Sequence, residues 1–401
     1  MIGWFVPGRL EVFGTHTDYA GGRSILAAVD RGITVVLTEH ELTEHGGEGV
    51  LATSTAVAGE IAISAGTDPG LPAGHWGHYV QAVVDRLTLN FGALRPARLA
   101  VDSTLPLASG MSSSSALVVA TALVLIDHNG IRDDARWKAA MLTDTDLPGY
   151  LACIENGMPF RDLAGFKGVG TFGGSEDHTA MLCCRENRLS EFRFCPIEER
   201  STLAFPADWS FVIAVSGVLA EKTGAALTSY NDASLLARRL VEEWNRATGR
   251  DDAVLADALA TEDGLERLRA VASSDPDLVA RLEAFVTESE IVIPRALDAF
   301  RAHDLAALGE AADLSHRNAD AALGNQIAET NLLQTLAREL GAHASSGFGA
   351  GFGGSVWALI ETDRAEDFAQ RWLAAYRREF PEPGARATTL VTRPGPAAHR
   401  L

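Results

Sequence analysis

The run Pro106-Leu-Ala-Ser-Gly-Met-Ser-Ser-Ser-Ser-Ala-Leu117 constrains this chain more than any other stretch. Small, hydroxyl-bearing residues lead directly into Ala116–Ile126, which is almost wholly apolar and reads as a buried helix. A helix N-terminus carries unpaired N–H groups and partial positive charge, so it binds anions, phosphate above all. One serine there would be an ordinary cap. Four in a row after Ser109-Gly110 exceed what a cap requires and favour a phosphate-binding turn. Ser109, Gly110, Ser112, Ser113, Ser114 and Ser115 are its candidate residues.

Around this turn, 401 residues provide enough chain for two domains with proper cores. A formal charge of −19 argues against a nucleic-acid partner, which needs a basic face. The four cysteines, Cys153, Cys183, Cys184 and Cys195, show no metal-ligand spacing. Cys183 and Cys184 lie in an apolar, strand-like run and read as buried thiols. Ala116–Ile126 is shorter than the roughly 20 apolar residues of a membrane span, and no signal pattern opens the chain. The expectation is a cytoplasmic protein without a membrane partner, monomeric or weakly homo-oligomeric.

Strand-like alternation marks Gly32–Glu39, Glu60–Ser64 and Ala97–Asp102 in a β-rich first half. A helix is expected from Trp76 to about Asn90, and another from Ser113. The boundary is placed near residue 205. Beyond it Ser210–Ser216 reads as a strand, and Asp232–Ala247, Asp252–Ala272, Asp275–Thr287, Ala296–Ala312 and Gln326–Leu340 read as helices. The tail Arg393–Leu401 is expected to be weakly ordered. Gly349-Ala-Gly351-Phe-Gly353-Gly354 matches the dinucleotide G-x-G-x-x-G pattern, but it follows a helix and feeds a strand, Ser355–Glu361, where a dinucleotide fold needs the reverse. With no Gly-Lys dipeptide the chain has no P-loop.

A third segment, Pro7-Gly-Arg-Leu-Glu-Val-Phe-Gly-Thr-His-Thr-Asp-Tyr-Ala-Gly-Gly22, gathers Arg9, His16, Asp18 and Tyr19 in a glycine-punctuated stretch. Each has an ordinary account taken alone. Together they suit a polyhydroxylated ligand, because carboxylate and imidazole accept from and donate to vicinal hydroxyls.

These three segments, in this order, resemble the three motifs of the GHMP kinases, and the first two resemble the galactokinase family in particular. Trp76-x-x-Tyr79-Val80, Ser229-Tyr230-Asn231 and Gly173-Gly174-Ser175-Glu176-Asp177-His178 extend the resemblance over the whole chain. It implies a two-domain α+β GHMP kinase fold. Residues 1–205 would form an α/β domain like that of a small-subunit ribosomal protein. Residues 206–401 would form a ferredoxin-like, helix-rich domain, with the active site in the cleft between the two. The implied reaction is ATP-dependent phosphorylation of a sugar's anomeric hydroxyl, with magnesium.

By resemblance, Asp177 faces the reacting hydroxyl and Arg9 stabilises it and the transferred phosphoryl. Thr15, His16, Asp18, Gly174 and Tyr230 would contact the sugar. The serine turn would cradle phosphates, Gly349 and Gly351 would let backbone approach substrate and nucleotide, and Trp76 would shape the adenine side. Ser114 and Glu155 would hold the metal. Glu176 is expected to point away, as the neighbour of Asp177.

Three positions depart from the family's pattern. Thr15 replaces a Glu expected to receive the C6 hydroxyl, Glu11 replaces an Asn and His178 a Gln. Loss of the Glu removes a charged acceptor from that corner, so galacturonate, glucuronate, L-arabinose and fucose join galactose as candidates. A non-catalytic sugar and ATP sensor is the alternative of a different class, against which the intact Arg9, Asp177 and serine turn speak. A metal hydrolase built on His16 and Asp18 lacks a third ligand at a suitable spacing.

Overall fold

The computed structural model describes residues 2–38, 49–106, 110–218 and 225–401. Strands β1 (Gly3–Phe13) and β2 (Arg23–Thr38) pair antiparallel at the centre of an eight-stranded sheet. On one side follow β5 (Ala97–Ser103), β3 (Val50–Ser54) and β4 (Glu60–Ile63), with β3 parallel to β5. Strands β6 (Arg188–Arg193) and β7 (Glu198–Ala204) extend the first residues of β2, Arg23–Leu26.

Helix α1 (Gly77–Phe91) and helix α2 (Ser113–Asn129) pack together, and α2 also lies on β1 and β2. Every residue from Ser115 to Ile126 is buried, as an all-round apolar helix must be. Helix α3 (Ala135–Ala140) leads to α4 (Asp146–Asn156), and α5 (Glu176–Cys183) packs on α4, α2 and β1. These contacts fix α5 beside the start of α2.

The second sheet has the order β11-β8-β10-β9, all antiparallel: β8 (Trp209–Val215), β9 (Ala344–Phe348), β10 (Ser355–Glu361) and β11 (Thr388–Thr392). All seven residues of β8 are buried, which explains its unbroken apolar run. Phe211 and Phe13 each meet Trp357 edge-on at 5.7 Å between ring centroids, so the sheets share one core. A separate cluster around Trp244, Leu268 and Phe285 joins α6 (Ala225–Thr248), α7 (Leu255–Leu259), α8 (Gly264–Ala272) and α9 (Pro276–Phe285). Helices α10 (Ile293–Ala302), α11 (Leu305–Asn318), α12 (Ala328–Glu339) and α13 (Ala365–Glu379) complete the molecule. Among the described residues no helix is long and apolar enough to cross a membrane.

Several expectations change. The helix expected over 252–272 is two, α7 and α8, because Asp263 takes the left-handed conformation at φ 56°. The helix expected over 296–312 breaks in the same way at His303 (φ 53°), and Asp304 caps the new start by accepting from the Ala307 amide at 3.0 Å. Cys183 and Cys184 end helix α5 instead of lying in a strand. The tail is ordered: β12 (His399–Arg400) pairs with β1, and the Gly395, Ala398 and Leu401 amides donate to Ala28, Met181 and Gly3 carbonyls. Strand β1 itself was not anticipated as one element, since Gly8 and Pro7 interrupt its pattern.

Candidate active site

Residues two apart on a strand share a face, and on β1 this places Arg9 and Glu11 on the same side. Register shifts against β2 bracket the two, between Pro7 and Arg9 and between Glu11 and Phe13. Such bulges twist a strand locally and re-aim its side chains. Both side chains enter a cleft of about 350 Å³ between the sheets.

The serine turn enters from the opposite wall. Gly110 (φ 71°) and Ser112 (φ 55°) take left-handed backbone, and this bend delivers Ser112, Ser113 and Ser114 to the cleft at the start of α2. The Arg9 guanidinium donates to the Gly110 carbonyl, and the Arg9 amide to the Met111 carbonyl at 3.3 Å. Chain start and serine turn are thereby tied directly. Ser109 lies outside the described residues. Ser115 points behind the turn, still within reach of the same carboxylate.

That carboxylate is Asp177, at the first turn of α5. Its Oδ1 accepts from Arg9 Nε at 2.7 Å, and its Oδ2 accepts from Ser112 Oγ at 2.6 Å and Ser115 Oγ at 3.3 Å. Three donors from two other segments hold one acid at the cleft wall. Burial disfavours charge on Arg9, but Asp177, Glu11 and Glu176 outweigh it and hold its pKa above the ordinary value.

The other end of the cleft is built by the signature loop. Asp18 Oδ1 accepts from the Tyr19 amide at 2.7 Å, and its Oδ2 from the Glu176 amide at 3.0 Å. Gly174 is required there: a Cβ on it would stand 2.3 Å from Asp18 Oδ2. Burial raises the Asp18 pKa. His16 shares a 2.9 Å hydrogen bond with the Tyr19 hydroxyl and one of 3.1 Å with the Ala350 carbonyl, while its ring meets Tyr230 at 5.1 Å. Burial pushes the Tyr19 hydroxyl up to about 12. Gly349 (φ 76°) brings the glycine loop so near that a Cβ would lie 3.0 Å from the Gly110 carbonyl. Gly349, Gly351, Trp76 and Tyr79 all line the cleft.

Three features differ from the sequence reading. Glu176 does not point away. It lines the cleft beside Asp177, accepting from Ser24 Oγ at 2.5 Å with Arg9 Nε at 4.0 Å from its carboxylate. Buried first-turn neighbours can both reach a concave site when the helix end itself forms the wall. Thr15 does not leave the corner without an acid, because its hydroxyl donates to Glu11, whose side chain lines the cleft. The spacing Arg9-x-Glu11 was a readable signal for this, since strand period alone puts both on one face. Glu155 is buried and is not a cleft-lining residue; its Oε1 lies 3.0 Å from His178 Nε2. Ser114 remains at the cleft as a candidate magnesium ligand. Among the described residues no cluster of three or more His, Cys, Asp or Glu could hold a metal.

Three family models match in chain order: the galactokinase galactose-binding signature over residues 2–39, the GHMP kinases N-terminal domain over 78–146 and the GHMP kinases C-terminal domain over 296–378. Their matched segments supply Arg9, the serine turn and the glycine loop after β9, the parts that meet at the cleft. The chain carries the galactokinase signature together with both GHMP kinase domains. It is similar to galactokinase of Thermococcus kodakarensis, 24% identical over 94% of both chains. The galactokinase of Mycobacterium tuberculosis is 28% identical over 100% of this chain and 99% of its own. The fold matches that of Lactococcus lactis galactokinase complexed with galactose at a TM-score of 0.78, with 21% identity over 100% of this chain and 95% of that one.

Proposed function

We propose that this kinase transfers the γ-phosphoryl group of ATP to the anomeric hydroxyl of a galactose-like monosaccharide, giving a sugar 1-phosphate and ADP. The observation that carries this reading is that Asp177 is gripped at once by Arg9 from the chain start and Ser112 from the serine turn. A sugar in the signature loop and a nucleotide on the helix N-terminus would therefore meet at one acid.

Asp18, His16 and Tyr230 take up ring hydroxyls, and the Asp18 carboxylate is pre-aimed by two backbone donors. Asp177 orients the C1 hydroxyl and accepts its proton as the oxygen attacks phosphorus. Arg9 balances charge on the alkoxide and the transferred phosphoryl, which costs no reorganisation because the guanidinium is already fixed. The amides at the start of α2 cradle the β- and γ-phosphates, and the Gly349–Gly354 backbone closes on them. Trp76 and Tyr79 flank the base. Ser114 would hold magnesium, which would supply charge neutralisation for the phosphates. Glu155 acts on the site through His178, the neighbour of Asp177.

A coupled ADP-release assay over hexoses, pentoses, deoxy sugars and uronates tests the reading. Galactose-dependent ADP release is expected, with the product phosphorylated at C1. No ADP release with any sugar, or phosphate at another position, would overturn it.

A further inference from the structure

At the sugar end of the cleft two carboxyl side chains touch where one would suffice. Glu11 and Glu176 are in side-chain hydrogen-bond contact, both nearly excluded from solvent. Two carboxylates in contact repel, so such a pair persists by holding one proton between them. The surrounding donors indicate which member keeps the charge. Burial raises Glu11 too, but it accepts from the Thr15 hydroxyl and has Arg9, two residues away, as its cationic neighbour, so it is raised less than Glu176. Glu176 accepts from the Ser24 hydroxyl and stands 4.0 Å from Arg9. Burial and the neighbouring Glu11 and Asp18 raise Glu176 well above the usual carboxylate range.

Among the described residues lining the cleft, four carboxyl groups (Glu11, Asp18, Glu176 and Asp177) face a single arginine, Arg9, which is already bound to Asp177. The sugar end thus holds more carboxyl groups than its one cation can balance, in a buried, weakly screened space where like charge is repelled over several ångströms.

Resting on the reading of this cleft as a sugar pocket, we propose that Glu11, with Glu176 as its carboxylic-acid partner, is a specificity-determining residue. The pair admits neutral and ammonium-bearing sugars and excludes sugars that carry a carboxylate. Thr15 positions Glu11, so loss of charge at position 15 leaves uronates excluded, because the charge has moved to position 11. Groups facing the pair are Arg9 on β1, Asp18 in the signature loop, Asp177 on α5 and Glu288 from the segment after α9.

Calorimetric titration of the full chain with galactose, galactosamine and galacturonate, without nucleotide, tests this, followed by ADP release with each sugar. The wild type is expected to bind galacturonate at least about tenfold more weakly than galactose. Glu11→Gln should close that gap. Glu176→Gln should keep it, because its amide donates to Glu11 as the acid does, and should flatten the dependence of sugar affinity on pH. Equal affinity for galacturonate and galactose in the wild type, or an unchanged gap in a folded Glu11→Gln protein, would overturn the proposal. Should Glu11→Gln not fold, the wild-type ratio and the Glu176→Gln pH profile decide. A preserved preference without any ADP release would sink the kinase reading and leave the pair's role standing. Robust turnover of galactose and galacturonate alike would do the opposite.

Discussion

Asp177 is the residue on which the proposed chemistry converges, and it is the less buried member of its ion pair: its side chain is 19% exposed, against 5% for Arg9. Asp177→Ala should lower sugar-dependent ADP release by about 10²–10⁴-fold, the range typical for loss of a positioned acid or base. Circular dichroism and sugar binding should be unchanged; undiminished turnover would remove Asp177 from the mechanism. Arg9 differs, since removing it leaves Glu11, Glu176 and Asp177 without their cation. Its loss should destabilise the protein by about 3–5 kcal/mol.

Glu288 is a second residue with a readable consequence. Its Oε1 accepts from the Gly14 amide at 2.9 Å and Ser315 Oγ at 3.0 Å, but burial lifts its pKa from 4.5 to about 7. The native state therefore holds a proton that the unfolded chain has released. Stability from this group is full below pH 4.5, falls as pH rises to about 7, and is level above. Glu288→Gln should remove the slope, gaining about 1–3 kcal/mol relative to wild type at pH 8 and little at pH 5. Urea melts at the two pH values measure it, and parallel wild-type and variant curves would refute the assignment.

At the scale of elements, the start of α2 is where local sequence and function coincide. Ser113, Ser114 and Ser115 form its first turn after a left-handed Ser112, so amides and hydroxyls converge on one spot. Ser114→Ala should raise the KM for MgATP by about tenfold, a loss of roughly 1.4 kcal/mol, with the KM for sugar unaffected. Equal changes in both would mean that Ser114 serves the fold and not the nucleotide. The same helix shows how far elements could be read. Its wholly apolar run announced burial on every side, and the strand expected over Ser355–Glu361 is β10 with its observed bounds. Helix breaks were not legible. Asp263 and His303 are ordinary helix residues until neighbouring helices demand a corner, and only then does a left-handed turn become the cheaper arrangement.

At the scale of the molecule, the last residues return to the first. Gly395 approaches Val29 so closely that a Cβ would lie 2.9 Å from its carbonyl oxygen, and Leu401 donates to Gly3. Deleting residues 393–401 should remove at least the three tail-amide hydrogen bonds, about 1 kcal/mol each, and expose the β1 edge. A fall in melting temperature with increased aggregation is expected. An unchanged melting curve would show that the tail rests on the sheet without supporting it.

Residue type and spacing by themselves marked the serine turn and the glycine-punctuated loop at the chain start, because each depends on short-range chemistry: glycine's backbone freedom and helix-end amides; Asp177 and Arg9 were singled out by the family resemblance. Only the tertiary structure decided the electrostatics. That Glu11 takes the Thr15 hydroxyl, that Glu176 shares its wall and that Glu155 is held by His178 all follow from segments distant in the chain packing together. There, charge and hydrogen bonding depend on neighbours that the order of residues does not name.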